Sequence, residues 1–181
     1  MDTIEKLERV THYIRKLRRI VVVLILLAAA WVTVDVYRVR MNNNRARDLF
    51  EAGQATAANG DHQGAEDLFS QSLSINPNSA GTWCARGICR LNSGLDVGAI
   101  EDFGWAIKIQ PDHKLSILNR GNAFVRLNQR DRAIADYTKA LRIDPNFADA
   151  YHNRGAAYAE IGEREKSAAD FAKETALRGK Q

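Results

Sequence analysis

The chain has 181 residues, 45% of them apolar, and a formal net charge of +4. Residues 1–40 hold eight Lys or Arg and four Asp or Glu, so the remaining residues hold 18 of each and are neutral overall. Nucleic-acid binding needs a concentrated basic surface that displaces counterions, so this composition argues against a nucleic-acid partner.

Residues 1–19 form a predicted N-terminal arm, a charged amphipathic helix. Apolar residues recur on one face at spacings of three or four, as a helix requires. They are Ile4, Leu7, Val10, Ile14 and Leu17. The arm could lie flat on a membrane surface, pair with another helix, or be the solvated start of the next helix. The pattern alone leaves these alternatives open.

A predicted transmembrane helix follows over residues 20–39. Residues 20–34 carry no charge, and ten of these fifteen are Ile, Val or Leu. Those ten contribute about −3 to −6 kcal/mol to bilayer insertion, whereas Asp35, at the end of the run, costs at most about 3 kcal/mol. Fifteen residues span roughly 22 Å, so the helix must continue to about residue 39 to approach the ~30 Å hydrocarbon layer. The residues predicted to lie in lipid include Ile20, Leu24, Leu27, Trp31 and Val34.

The same apolar segment is also compatible with a cleaved secretory signal. Its length suits a signal core, and Ala28, Ala29 and Ala30 offer small residues for cleavage before Trp31. The preceding arm, however, is long for a signal and carries acidic residues. An uncleaved single-pass anchor is therefore the favoured interpretation.

The flanking charges predict an orientation for this anchor. Six Lys or Arg precede the uncharged run at residues 20–34 and four follow it closely, and the more basic flank tends to stay in the cytoplasm. We therefore expect a cytoplasmic N-terminus and an extracytoplasmic C-terminal domain, periplasmic if the source is bacterial. Residues 40–44 are predicted as a short linker, in which Asn44 would cap a helix that begins near Arg45.

Residues 45–181 are built from one unit that occurs about four times. Its period is fixed by Pro77, Pro111 and Pro145, which are 34 residues apart. Other residue types recur with the same period: Gly53, Gly87, Gly121 and Gly155; Ala65, Ala99 and Ala133; Phe69, Phe103, Tyr137 and Phe171. Each unit holds two apolar stripes at helical spacing, separated by a polar turn, and the first three units end at proline, whereas the fourth has Gly179 in its place. This pattern predicts an all-α fold of antiparallel helix pairs.

A 34-residue unit with Gly, Ala, an aromatic residue, Ala and Pro in this order resembles the tetratricopeptide repeat (TPR) family. The resemblance implies an α-solenoid with repeats at about residues 46–79, 80–113, 114–147 and 148–181. The fourth unit has Ser167 and Glu174 at two alanine positions. Such polar changes are expected of a terminal repeat whose outer face meets water, so residues 163–177 are predicted to form a capping helix.

The resemblance also implies a partner-binding groove on the first helix of each repeat. Carried onto this chain, the groove and its rim comprise Arg47, Phe50, Gln54, Cys84, Ile88, Leu118, Asn122, Val125, Arg126, Asp149 and His152. Its centre is apolar, so the expected occupant is an amphipathic helix or an extended hydrophobic segment of another protein. Some family members clamp a partner's C-terminal carboxylate with basic residues, and the corresponding residues are missing here.

Several residues near this groove have more than one interpretation. We assign Cys84, Ile88 and Leu118 to the groove, and Leu91 and Leu115 to packing between repeats. The recurring pairs Asn119-Arg120 and Asn153-Arg154 are interpreted as inter-helix hydrogen bonds from the asparagine beside a solvated arginine.

No combination of residues indicates catalysis. His12, His62, His113 and His152 are not at ligand spacing, and phosphate-binding and nucleophile-turn motifs are absent from the sequence. Cys84 and Cys89 are five residues apart on one predicted helix and cannot form a disulfide there. We therefore predict a protein without enzymatic activity, cofactor or metal.

The leading functional prediction is a membrane-tethered adaptor that binds or assembles a partner protein or a membrane complex. The alternative is a structural accessory subunit of a membrane complex, in which the transmembrane helix and the N-terminal arm make the main contacts.

Overall fold

The structure is a computed structural model that describes residues 2–179, without the side chains of Asp2 and Ile4. Met1, at the start of the predicted arm, and residues 180–181, at the end of the fourth predicted repeat, lie outside the described residues. The side chain of Ile4, which belongs to the apolar face of the arm, also lies outside them. The described range contains eight α-helices and no β-strand. They are α1 Asp2–Ala58, α2 His62–Ile75, α3 Ala80–Asn92, α4 Asp96–Ile109, α5 Lys114–Arg126, α6 Arg130–Ile143, α7 Ala148–Glu160 and α8 Arg164–Arg178. The chain divides into two compact units, Met1–Asn44 and Arg45–Gln181.

The described part of the unit Met1–Asn44 is helical throughout, and its apolar side chains are exposed. They include every residue predicted to lie in lipid. The Glu5–Ala58 part of α1 is long enough to cross a membrane, and an 18-residue stretch of it is apolar enough and unburied. A secretory signal near the N-terminus has the same length and composition.

The predicted linker at residues 40–44 is helical, which corrects the sequence prediction. Asn44 lies inside α1 and caps no helix, and no helix begins near Arg45. The segment has neither glycine nor proline, and asparagine costs only a few tenths of a kcal/mol relative to alanine in a helix interior. Helix on both sides also removes the cost of nucleating a new one, so α1 continues to Ala58.

The unit Arg45–Gln181 is a series of antiparallel helix pairs. The end of α1 pairs with α2, α3 with α4, α5 with α6, and α7 with α8; α2, α4 and α6 also contact the first helix of the next pair. The turns inside the pairs adopt positive φ at Gly60, Gly94, Asn128 and Gly162, again 34 residues apart. Glycine and asparagine tolerate this left-handed conformation, which ends the first helix and reverses the chain.

The core repeats with the same period. Phe69, Phe103 and Tyr137 are buried, and each ring lies against the glycine of its paired first helix. A methyl group added at Gly53, Gly87 or Gly121 would lie 2.5–2.7 Å from the facing ring. The absence of a side chain at these glycines therefore sets how closely the two helices approach. Helices α2, α4 and α6 each end two residues before a proline, as predicted.

Candidate partner-binding face

The predicted groove residues lie on the end of α1 and on α3, α5 and α7. Those that remain at least partly exposed are called here the first-helix face: Arg47, Phe50, Gln54, Ile88, Asn122, Val125, Arg126, Asp149 and His152. Cys84 and Leu118 are instead buried. Cys84 shares its core with Ala123 of α5, and Leu118 shares its core with Ala150 of α7. A partner could therefore contact these two side chains only marginally.

Two leucines near the face have opposite environments. Leu91 is buried, as predicted for a residue that packs between repeats. Leu115 is 50% exposed, so its assignment to packing was wrong. Helix α5 buries the side that carries Ile117, and Leu115 is two residues away, about 200° around the helix. Leu115 is therefore available to a partner.

A cleft of about 330 Å³ opens on this face where the first two helix pairs meet. Its lining residues are Gln54, Ala57, Ala58, His62, Phe69, Ala85, Ile88, Cys89 and Asn92. Burial raises the pKa of the Cys89 thiol, and nearby Glu66 adds to the effect, so this wall of the cleft is uncharged at neutral pH. The buried Nδ1 of His62 meets no hydrogen-bond partner within the described part of the chain. The cleft thus combines apolar walls with isolated polar groups.

Three asparagines, Asn119, Asn122 and Asn153, form what we call the amide row. Asn122 Oδ1 accepts hydrogen bonds from Tyr137 Oη and from Asn153 Nδ2, each at 2.8 Å. Asn122 Nδ2 lies 3.4 Å from Asn119 Oδ1. Burial, followed by the charge of Asp136, raises the pKa of Tyr137, which keeps its hydroxyl a donor. The predicted inter-helix hydrogen bond is confirmed for Asn153, which links α7 to α5.

The amide row keeps part of its hydrogen-bonding capacity. Among the described residues, Asn119 Nδ2 and Asn153 Oδ1 have no protein partner, although both side chains are only partly buried. A side-chain amide both donates and accepts, so the row can bond an N–H and a C=O of a ligand at once.

The charged residues of the face are engaged within the protein. Arg126 donates to Leu91 O at 2.7 Å and lies 2.9 Å from Asp96. At the C-terminal end, His152 contacts Glu174 at 3.0 Å, and Arg178 bonds both Glu174 and Asp149. Hydrogen bonds with His152 and then Arg178 hold the pKa of Glu174 below its ordinary value.

The polar residues of the fourth repeat do not simply face water. Glu174 belongs to the network just described and is largely shielded, and Ser167 is buried. Glu174 therefore ties α8 to the start of α7, which closes this end of the first-helix face with ion pairs.

An Arg–Asp ladder, which the sequence reasoning missed, joins the helices of three pairs. Arg86, Arg120 and Arg154 each donate two hydrogen bonds, of 2.7–2.9 Å, to the aspartate 16 residues later. These aspartates are Asp102, Asp136 and Asp170. The arginine side chains are only 13–24% exposed, so the interpretation of Arg120 and Arg154 as solvated was wrong. A common 34-residue period for both partners was the signal that could have revealed the ladder.

A second, aromatic surface is formed by one side chain of α3 and one of α4. Trp83 and Trp105 stack with ring centroids 5.8 Å apart beside a cleft of about 660 Å³. Arg86 lies over Trp83 and Lys108 over Trp105. Trp105 belongs to α4, a second helix of a pair, and so provides a control for tests of the first-helix face.

The described residues contain no group of three or more His, Cys, Asp or Glu side chains that could hold a metal ion.

Comparison with known proteins gives a family match to part of the repeats. The family model described as TPR repeat matches residues 121–162. No curated protein matches the chain.

Solved structures share the fold. A crystal structure of MamA superposes with a TM-score of 0.72 at 22% identity, over 80% of this chain and 84% of that one. TTC0263, a thermophilic TPR protein of Thermus thermophilus, gives 0.66 at 24% identity, over 73% of this chain and 74% of that one. The first TPR of Spaghetti (RPAP3), bound to the HSP90 peptide SRMEEVD, gives 0.65 at 19% identity, over 66% of this chain and 94% of that one.

At these identities the likeness establishes the fold alone. The chain has a TPR-like α-solenoid, and TPR proteins generally mediate protein–protein interactions and typically act as non-enzymatic scaffolds.

Proposed function

We propose that this protein is a non-enzymatic, membrane-tethered adaptor whose first-helix face binds an extended segment of a partner protein. The observation that carries the proposal is the amide row. The backbone N–H and C=O groups of an extended segment are free to bond, whereas those of a helix are already paired internally. Amides at the centre of the face therefore favour the extended segment over the amphipathic helix.

The apolar residues around the amide row would supply most of the binding energy. Ile88, Leu115 and Val125 are at least partly exposed on the same set of first helices. Side chains of an extended segment alternate in direction, so one set can enter the cleft beside Ile88 while the backbone bonds the amide row.

The test uses peptides selected from a random display library against the full chain in detergent. Asn119→Ala removes a free donor and only a long internal contact, and is expected to weaken peptide binding about tenfold, the value of one well-made hydrogen bond. Fluorescence anisotropy with labelled peptides measures the affinity. Asn153→Ala should act in the same direction.

Two controls define the face. Asn78→Ala changes an exposed asparagine in the loop before α3, and Trp105→Ala changes the second aromatic surface; neither should alter the affinity. If the peptides bind the Trp105→Ala chain more weakly than the parent but bind the Asn119→Ala chain equally well, the first-helix face is not the binding site.

The proposed tether is the apolar part of α1, with the N-terminus cytoplasmic and the repeats extracytoplasmic. Support comes from the exposed apolar helix and from the excess of basic residues before it. Changing both Leu24 and Leu27 to Arg adds roughly 6–8 kcal/mol to the cost of insertion, which exceeds the gain from the whole span. We expect this variant, unlike the parent chain, to leave the membrane fraction on alkaline carbonate extraction.

The matched control places Arg at Leu95 and Val97, two exposed apolar residues of the repeat unit, and should remain in the membrane. Release of the parent chain by carbonate, or a mature N-terminus at Trp31, would refute the anchor.

A structural accessory role is the second candidate, favoured by the exposed apolar face of the arm. Deletion of residues 1–40 separates the two, because an adaptor keeps its peptide affinity without them.

A further inference from the structure

The apolar face of the arm continues without interruption into the proposed span. Spacings of three and four alternate strictly along what we call the arm seam: Leu7, Val10, Ile14, Leu17, Val21 and Leu24. These six side chains are 45–64% exposed. The first four precede the uncharged segment, and no other element in the described part of the chain packs against them.

The continuity of α1 argues against an arm that lies flat on the bilayer. A helix that crosses the membrane and then lies along its surface must bend sharply between the two parts. Sharp bends occur at proline, at glycine or serine, or where the hydrogen-bond ladder is interrupted. Residues 2–44 contain neither glycine nor proline and are helical throughout. The arm therefore extends the line of the span into water and exposes its seam there.

We propose that the arm seam pairs with the seam of a second copy of this chain in a parallel two-stranded coiled coil. Alternating spacings of three and four define the a and d positions of a heptad, with Leu7, Ile14 and Val21 at a. The d positions are Val10, Leu17 and Leu24. Ile and Val at a with Leu at d favour two strands, and this combination holds for the last two heptads.

The charges beside the seam are compatible with self-pairing. In a parallel pair, Tyr13 at position g faces Arg18 at position e of the second copy. The guanidinium of Arg18 can then make a cation–π contact with the Tyr13 ring. The other charged or titratable residues from Glu8 onward lie at the outer positions of the helix: Glu8, Arg9, His12, Arg15, Lys16 and Arg19. Over the segment from Tyr13 to Arg18, self-pairing therefore places no like charges opposite each other.

The length of the seam predicts that pairing depends on the membrane. Residues 7–24 make about 27 Å of helix, which buries less than the roughly 800 Å² per partner of a stable soluble interface. Two copies anchored in one bilayer are already parallel and at a high effective concentration. The parallel direction rests on the proposed membrane tether, whereas the contact surface rests on the seam itself.

The experiment cross-links the full chain in vesicles of phosphatidylethanolamine and phosphatidylglycerol. Ile14→Cys and Leu17→Cys place a thiol in the seam, and His12→Cys and Lys16→Cys place one on the outer side of the same helix turns. A disulfide needs Cα atoms about 4.4–6.8 Å apart, so mild oxidation should give roughly tenfold more covalent dimer from the seam positions. Native Cys84 and Cys89 are buried, so the parent chain is the blank.

Each outcome separates pairing from anchoring when the vesicles are also extracted with carbonate. Equal cross-linking at all four positions in an anchored chain overturns the pairing and leaves the tether standing. Seam-selective dimers in a chain that carbonate releases support the seam as the contact surface, but refute the tether and the dependence of pairing on it. An anchored chain that forms no cross-link at either seam position likewise overturns the second copy as the occupant of the seam.

Discussion

Replacement of Asp102 by alanine is expected to lower the free energy of unfolding of the unit Arg45–Gln181 by about 3–5 kcal/mol. Asp102 is 1% exposed and accepts two hydrogen bonds from Arg86, at 2.8 and 2.9 Å, and one from Arg90 at 3.1 Å. Without this carboxylate, the guanidinium of Arg86 is left in a shielded site with no counter-ion. An unpaired buried charge costs several times more than a surface ion pair contributes.

Urea unfolding, followed by far-UV circular dichroism on the full chain in detergent, measures this loss. Asp67→Ala, an exposed aspartate of α2, is the matched control and should cost less than about 0.5 kcal/mol. Replacing Arg86 by Met together with Asp102 by Leu should recover most of the stability, because it removes both charges from the interior. An Asp102→Ala chain within about 1 kcal/mol of the parent would show that the ladder is solvated in solution.

The ladder also shows where sequence reasoning reaches its limit. The period and the helix pairs could be predicted because glycine, alanine, aromatic residues and proline each have one steric role in the repeat. Arg120 and Arg154 carry no such local signal, since a charged residue on a short helix is usually solvated. Their burial depends on an aspartate on the facing helix, and so on tertiary packing.

Two other sequence predictions differ from the structure because the surroundings of a residue outweigh its own character. Asn44 has the local character of a helix cap, but the helix on both sides decides its conformation. Cys84 and Leu118 occupy groove positions by family resemblance, but the packing of the following helix pair decides how much of them remains exposed. On the candidate face, Asn122 could be predicted from its position, whereas its bonds to Tyr137 and Asn153 required the fold.

Gly121→Ala is expected to destabilise the repeat unit by about 2 kcal/mol, although alanine is the better helix former by about 1 kcal/mol. The new methyl group would lie 2.5 Å from Tyr137 Cε1. The ring cannot retreat, because Tyr137 is 1% exposed and its hydroxyl donates to Asn122. Helices α5 and α6 must therefore separate or the ring must turn, and either change disturbs the bond that holds the amide row.

Gly155→Ala is the matched control, since it makes the same substitution at the same repeat position. There the methyl group would lie 3.3 Å from Asp170 Cβ and Phe171 Cε1, and Phe171 is only partly buried, so a small shift accommodates it. The helix-propensity gain is common to both variants, and the difference in their urea midpoints therefore measures the space beside each glycine. Gly155→Ala should be neutral or slightly stabilising and should leave peptide affinity unchanged, whereas Gly121→Ala should lower both stability and affinity. Equal stability of the two variants would contradict the close contact at Gly121. A destabilised Gly121→Ala chain with full peptide affinity would instead separate the amide row from binding.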